Sequence, residues 1–290
     1  MSKPTINPSF SFSITSILGI IGFTFYLNAC EPNINSPSAS AIKAAKTADT
    51  TVQSPELYID LEKELKKHPK RAETVAVAYD AFFKTAKIFR GINLKDFIDS
   101  IMLANSFDTT GALVVFECKD GYKPVMDIAK VVNSRMGYIV YKDMAQKAAW
   151  ADSIAAEFTP YYVTWTNVKH NDHDYMWPYG LIGIRLKASA TEYAAIYPYH
   201  NAGLVKGFQL FRNNCMKCHA INKVGGTMGP ELNTPKNITE YWTEENIIAF
   251  AKSPTSFRNN SHMPAVTGLT DAELKEIVGY LKGMKGHKVQ

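Results

Sequence analysis

The hydrophobic pattern divides the chain into stretches of different character. Residues 14–27 are mostly apolar and follow a lone basic residue, Lys3. That run is short for a bilayer, which takes about 20 apolar residues of helix, so it reads as an export signal. From residue 31 to about 54, Pro32, Pro37 and many Ser, Ala and Thr replace large apolar groups, too few of which remain to build a core. Between there and residue 199, short apolar runs predict strands at 74–78, 112–117, 138–141, 161–165 and 181–186. Helical periodicity covers 56–67, 94–103, 126–132 and 145–156. Strands mixed with helices imply an α+β unit.

After residue 200 the period turns helical. Gly207, Phe211 and Cys215 follow one face at a spacing of four. Residues 243–252 predict a short helix stopped before Pro254. Thr270 and Glu273 make a capping box ahead of an apolar stripe of Leu274, Ile277, Val278 and Leu281. That stripe is expected to pack on the first helix at Gly207, where no side chain holds the backbones apart. The chain is therefore expected to be multidomain: a signal over 1–29, a tether over 30–54, an α+β domain over 55–199 and an all-α domain over 200–290.

Charge changes this picture little. The net charge is +5. Residues 200–290 hold 11 Lys/Arg and 7 Asp/Glu, whereas residues 31–199 hold 20 of each. A mildly basic module could be steered towards an acidic partner, and an ordinary solvated surface accounts for the excess as well. No concentrated basic patch points to nucleic acid. There is no internal repeat, Ser-His-Asp order, glycine-rich phosphate loop or pair of catalytic carboxylates.

The chemistry is concentrated in Cys215-Met216-Lys217-Cys218-His219. Two thiols at this spacing can each add across a vinyl group of haem, and the following histidine becomes the proximal iron ligand. A zinc knuckle or a thioredoxin-like pair would need a second ligand pair or a βαβ context, and neither is near. One covalently attached haem c is expected. Cys118 stands apart and reads as an inert core thiol. His170, Asp172, His173 and Asp174 lack the spacing that would place them on one face, so a solvated loop is expected rather than a metal site.

Residues 200–290, with that motif between the two helices, resemble a class I cytochrome c along their whole length. The resemblance implies a distal axial ligand on the segment before the last helix, where Met263 precedes Pro264. Met228 and His262 are the competitors, and a thioether would favour ferrous iron. Gly229-Pro230 resembles the family segment whose proline carbonyl accepts a hydrogen bond from the proximal histidine. Tyr241 and Trp242 could reach a haem propionate or serve as core aromatics. Asn259 and Asn260 could donate towards the distal ligand or lie in a surface loop.

Leu27-Asn28-Ala29-Cys30 resembles a bacterial lipoprotein processing site, which implies cleavage before Cys30 and acylation of its thiol. An uncleaved anchor or an ordinary secretory signal are the alternatives. The preceding domain carries segments that resemble the molybdopterin-binding fold of the sulfite oxidase superfamily. These are Gly91-Ile92-Asn93-Leu94-Lys95-Asp96-Phe97, Asp120-Gly121-Tyr122, the strand entry at Pro160, and Trp177-Pro178. The cysteine that ligates molybdenum in that superfamily has no counterpart upstream of the Asp-Gly-Tyr turn, and Cys118 is misplaced for it. The arginine expected after Pro160 is missing as well. A degenerate copy without its cofactor is implied, serving to dock or bind.

These expectations converge on a membrane-tethered carrier. It would pass single electrons between a donor and an acceptor redox protein on the periplasmic or outer surface. The alternatives are an oxidoreductase whose residues 55–199 bind substrate or cofactor, and a haem-based sensor with a displaceable distal ligand. A non-catalytic carrier is favoured, and the sequence leaves the question of enzymatic activity open.

Overall fold

A computed structural model describes residues 56–67, 71–145, 159–169, 172 and 174–289. The signal, the tether with Cys30, residues 146–156 of the expected helix, His170 and His173 lie outside the described residues. Among the described residues, no helix is long and apolar enough to cross a membrane.

Alternating apolar positions build an antiparallel sheet of eight strands. Its longest ladder joins β4 (Ala112–Cys118) to β8 (Tyr179–Ala188), from Ala112 opposite Ala188 to Cys118 opposite Leu181. The other edge of β8 is shared by β7 (Tyr161–Trp165) and β1 (Leu57–Asp60). The sheet continues beyond β7 through β6 (Gly137–Asp143) and β3 (Lys87–Asn93) to β2 (Glu73–Val77), and beyond β4 to β5 (Val125–Asp127). One face carries the helices α1 (Leu61–Lys66), α2 (Leu94–Asn105) and α3 (Ile128–Val132). Their Leu61, Leu94, Phe97, Ile98 and Val131 share a core with Val114, Phe116, Ile139, Trp165 and Ile184. A second cluster gathers Val75, Val77, Phe89, Val140 and Tyr162.

Two sequence expectations need correction here, and one strand was missed. The segment 56–67 opens as a strand, because Leu57 and Ile59 alternate along β8 before Asp60 accepts the Lys63 N–H and starts the helix. The segment 126–132 likewise divides, with Met126 in β5 and only Ile128–Val132 helical. Strand β3 escapes a period-two reading because a bulge between Arg90 and Gly91 shifts its register against β6.

The C-terminal part is framed by α5 (Val205–Asn214) and α8 (Asp271–Met284), after the short α4 (Ser189–Glu192). The two long helices meet at Gly207, where a Cβ would stand 2.1 Å from the Glu276 carbonyl oxygen. Phe208, Phe211, Leu274, Ile277, Tyr280 and Leu281 fill the space between them, with Met216 and Ile221. Between the framing helices come α6 (Glu244–Lys252), capped by Thr243, and α7 (Pro254–Phe257), with Pro254 in its first turn.

The all-α expectation is amended by a small hairpin, β9 (Ala220–Ile221) and β10 (Val224–Gly225), and by long loops between the helices. Packing runs across the expected break after residue 199. The sheet ends at Ala188, and Tyr193 and Ile196 are buried in the C-terminal core together with Leu113 of β4.

Candidate functional site

Helix α5 delivers the cysteine motif. Cys215 N–H donates to the Phe211 carbonyl at 2.8 Å, and the N–H groups of Cys218 and His219 both donate to the Cys215 carbonyl, at 3.1 and 2.9 Å. The chain makes one further turn, so Cys215 and Cys218 lie about one helical turn apart. Neither is in a disulfide. Burial pushes the Cys215 thiol up to about 12 and raises Cys218 as well. Both stay protonated at neutral pH and are poor spontaneous nucleophiles.

His219 is oriented by Pro230. Its Nδ1 lies 2.8 Å from the Pro230 carbonyl oxygen, which can only accept, so Nδ1 carries the proton and Nε2 keeps its lone pair. Burial lowers the pKa of the ring, opposed in part by that bond. The imidazole is thus the neutral form that binds metal. Gly229 closes one side, since a Cβ there would stand 2.4 Å from ring Cε1, and its N–H donates to the Cys218 carbonyl at 2.8 Å.

The other candidates are spread around this seat. Met228 immediately precedes Gly229 in the chain and is 42% exposed. Met263 is half-buried on the loop between α7 and α8. That loop is held to α6 by a Val266 N–H bond to the Ala251 carbonyl at 2.9 Å. His262, Asn259 and Asn260 are exposed. Tyr241 is exposed, while Trp242 packs edge-on against Phe250, with Phe257 beside both and Arg258 over Trp242 and Phe250.

Away from this seat, Cys118 is buried and its thiol is raised well above its usual range by burial, in keeping with an inert core thiol. Asp174 pairs with Lys130. Among the described residues, no group of three or more His, Cys, Asp or Glu side chains could hold a metal ion.

Two features had escaped the sequence. One is a polar relay behind His219. The amide of Asn222 donates to the carbonyls of Ala195 and His287, that of Asn233 to Asn222 Oδ1, and that of Asn237 to Asn233 Oδ1 and the Leu281 carbonyl. The other is a joint with the sheet. The turn from β4 to β5 meets the cysteine motif and the loop after it through two backbone bonds of 2.8 Å, Lys123 N–H to the Lys217 carbonyl and Thr227 N–H to the Gly121 carbonyl. Tyr122 lies in this turn, its hydroxyl pKa raised by burial and secondarily by the Cys218 thiol.

These residues fit haem c. Two unpaired thiols and a histidine with a free Nε2 supply the donor set. Helix α6 offers Ile247, Ile248 and Phe250, and none of its residues is buried by the chain itself, as suits a wall for a flat apolar macrocycle.

Comparison with known proteins agrees. Residues 204–285 match the family model for cytochrome c. The cytochrome c oxidase subunit 2 of Alkalihalophilus pseudofirmus is 27% identical over 86 residues, 28% of this chain and 25% of that protein. The chain thus spans a quarter of the length of the curated relative it matches. No solved structure matches. The C-terminal domain is a c-type cytochrome domain, the mark of an electron-transferring protein with covalently bound haem c, and a separate β-rich region precedes it.

Proposed function

We propose that this protein is a membrane-tethered cytochrome with one haem c that passes single electrons between extracytoplasmic redox proteins. The observation that carries the reading is the seat of His219: a neutral ring fixed through Nδ1 directly after two unpaired thiols. In this reading Cys215 and Cys218 would anchor the group by thioether bonds, and His219 would bind iron through Nε2. Met263 would bind from the far side, because Met228 lies only 9 residues after His219, a loop too short to cross to that face. When bound, haem supplies a one-electron couple whose potential the axial ligands set. The chain's own part is to hold the ring plane with Gly229, direct the Nδ1–H at the Pro230 carbonyl, and present the apolar wall of α6. With His219 and Met263 both holding the group, neither face would be left open to a substrate, as suits a carrier.

The relative's name, a subunit of cytochrome c oxidase, supports an extracytoplasmic place, and acylated Cys30 would tether the chain there. The β-rich region, with its kinship to a molybdopterin-binding fold lacking the metal's cysteine, would dock the partner or fix the haem's orientation. The test counts iron and molybdenum in protein purified from its native host and weighs the peptide containing Cys215 and Cys218. One iron, no molybdenum and the mass of one haem on that peptide are expected. Stoichiometric molybdenum would make the protein an enzyme whose haem only carries electrons away. Absence of covalent haem would overturn the reading altogether.

A further inference from the structure

The Pro230 carbonyl orients His219, so whatever fixes that carbonyl also controls the histidine. The next residue does so. Glu231 Oε1 accepts the N–H groups of Asn222 at 2.9 Å, Asn233 at 3.0 Å and Thr234 at 3.4 Å, and Oε2 accepts that of Lys223 at 3.0 Å. Asn222 and Lys223 form the turn of the hairpin that follows His219, and both adopt the left-handed region, with φ of 53° and 67°. Few non-glycine residues hold that conformation without support. Beside them, Leu232 N–H donates to the Ala220 carbonyl at 2.9 Å. One carboxylate therefore ties the chain leaving the histidine to the segment that presents the carbonyl, through charge-assisted bonds to backbone N–H groups.

We infer that Glu231 is a positioning residue for the proximal histidine, setting the Nδ1–H bond to Pro230 and through it the reduction potential of the bound iron. The inference rests on the haem reading above. A firm Nδ1–H bond raises the basicity of a ligating imidazole and so favours ferric iron. Loosening the Pro230 segment weakens that bond, makes His219 the poorer donor, and raises the potential. Glu231 acts through backbone N–H groups on both segments, those of Asn222 and Lys223 after the histidine and those of Asn233 and Thr234 after the carbonyl.

The experiment uses the full haem-loaded chain in three variants. Glu231→Ala releases all four N–H groups. Glu231→Gln keeps Oε1 and its three bonds, but places a donor against Lys223 N–H. Tyr280→Phe removes the remote hydroxyl bond to the Ile196 carbonyl and serves as a stability control.

In Glu231→Ala the midpoint potential is expected to rise, and the His219 Nδ1–H proton, followed by NMR, to exchange about tenfold faster or more. Glu231→Gln should fall between it and the parent. Tyr280→Phe should lower the unfolding midpoint and leave potential and proton exchange unchanged. Parental potential and exchange in Glu231→Ala overturn the inference, as does an equal change in Tyr280→Phe. If Glu231→Ala does not fold, Glu231→Gln decides, and parental values there are the overturning result. A parent chain without haem on Cys215 and Cys218 would instead refute the haem reading, and this inference with it.

Discussion

At the scale of single residues, the proposed proximal and distal ligands are held differently. His219 is set by a rigid backbone contact, whereas Met263 hangs on a loop whose own fixed point is the Val266 bond to α6. Replacing Met263 by Ala should abolish the methionine–iron charge-transfer absorption and lower the potential, because a thioether favours ferrous iron. A band that survives the substitution would assign the ligand elsewhere, with His262 the next residue to replace. The thiols and His219 were legible in the sequence because their chemistry depends on adjacent positions. Glu231 and the asparagines were not. Their partners are mostly backbone groups that meet only after the hairpin has folded, and no periodicity marks an acceptor of that kind.

At the scale of elements, helix α8 carries two independent signals that the sequence displayed. Its capping box is formed: Thr270 Oγ1 accepts the Glu273 N–H, and the Glu273 carboxylate accepts from the N–H and hydroxyl of Thr270. Those bonds hold the Glu273 carboxyl below its usual value of 4.5. The cap therefore adds stability above that value, and the contribution is lost as pH falls through the lowered one. Thr270→Ala should lower the unfolding midpoint at neutral pH and show less acid sensitivity than the parent; identical pH profiles would speak against the linkage.

The crossing with α5 makes a stronger demand. Gly207→Ala would push a methyl into the Glu276 carbonyl and should cost about 1–3 kcal/mol in denaturant unfolding. A cost near zero would mean that the helices separate freely. Elements with an unbroken period were legible, while β3 was hidden by its bulge and β5 by its direct passage into a helix.

At the scale of the whole described molecule, the sheet and the cytochrome domain share a joint at Gly121. Its φ of +87° already disfavours a side chain, and a Cβ would come within 2.4 Å of Thr227 Oγ1 and 2.9 Å of Met228 N. Gly121→Ala should destabilise the protein by about 1–3 kcal/mol. It should also strip hydrogen-exchange protection from the Lys123 and Thr227 amides while the haem absorption stays as in the parent. Full protection of both amides in the variant would show that the joint does not depend on this glycine.

The Asp120-Gly121-Tyr122 turn stood out in the sequence, but its contact with Thr227 could not, because sequence pattern reports local faces and not which distant loops meet. The same limit explains why the burial of Tyr193 and Ile196 with Leu113 of β4 was not legible. Both hydrogen bonds of the joint belong to the backbone, and the side chains of Lys123 and Lys217 take no part in them. Reversing those two charges would redraw the electrostatic field around the redox centre without moving it. Association rate and internal geometry can thus be adjusted separately in one molecule.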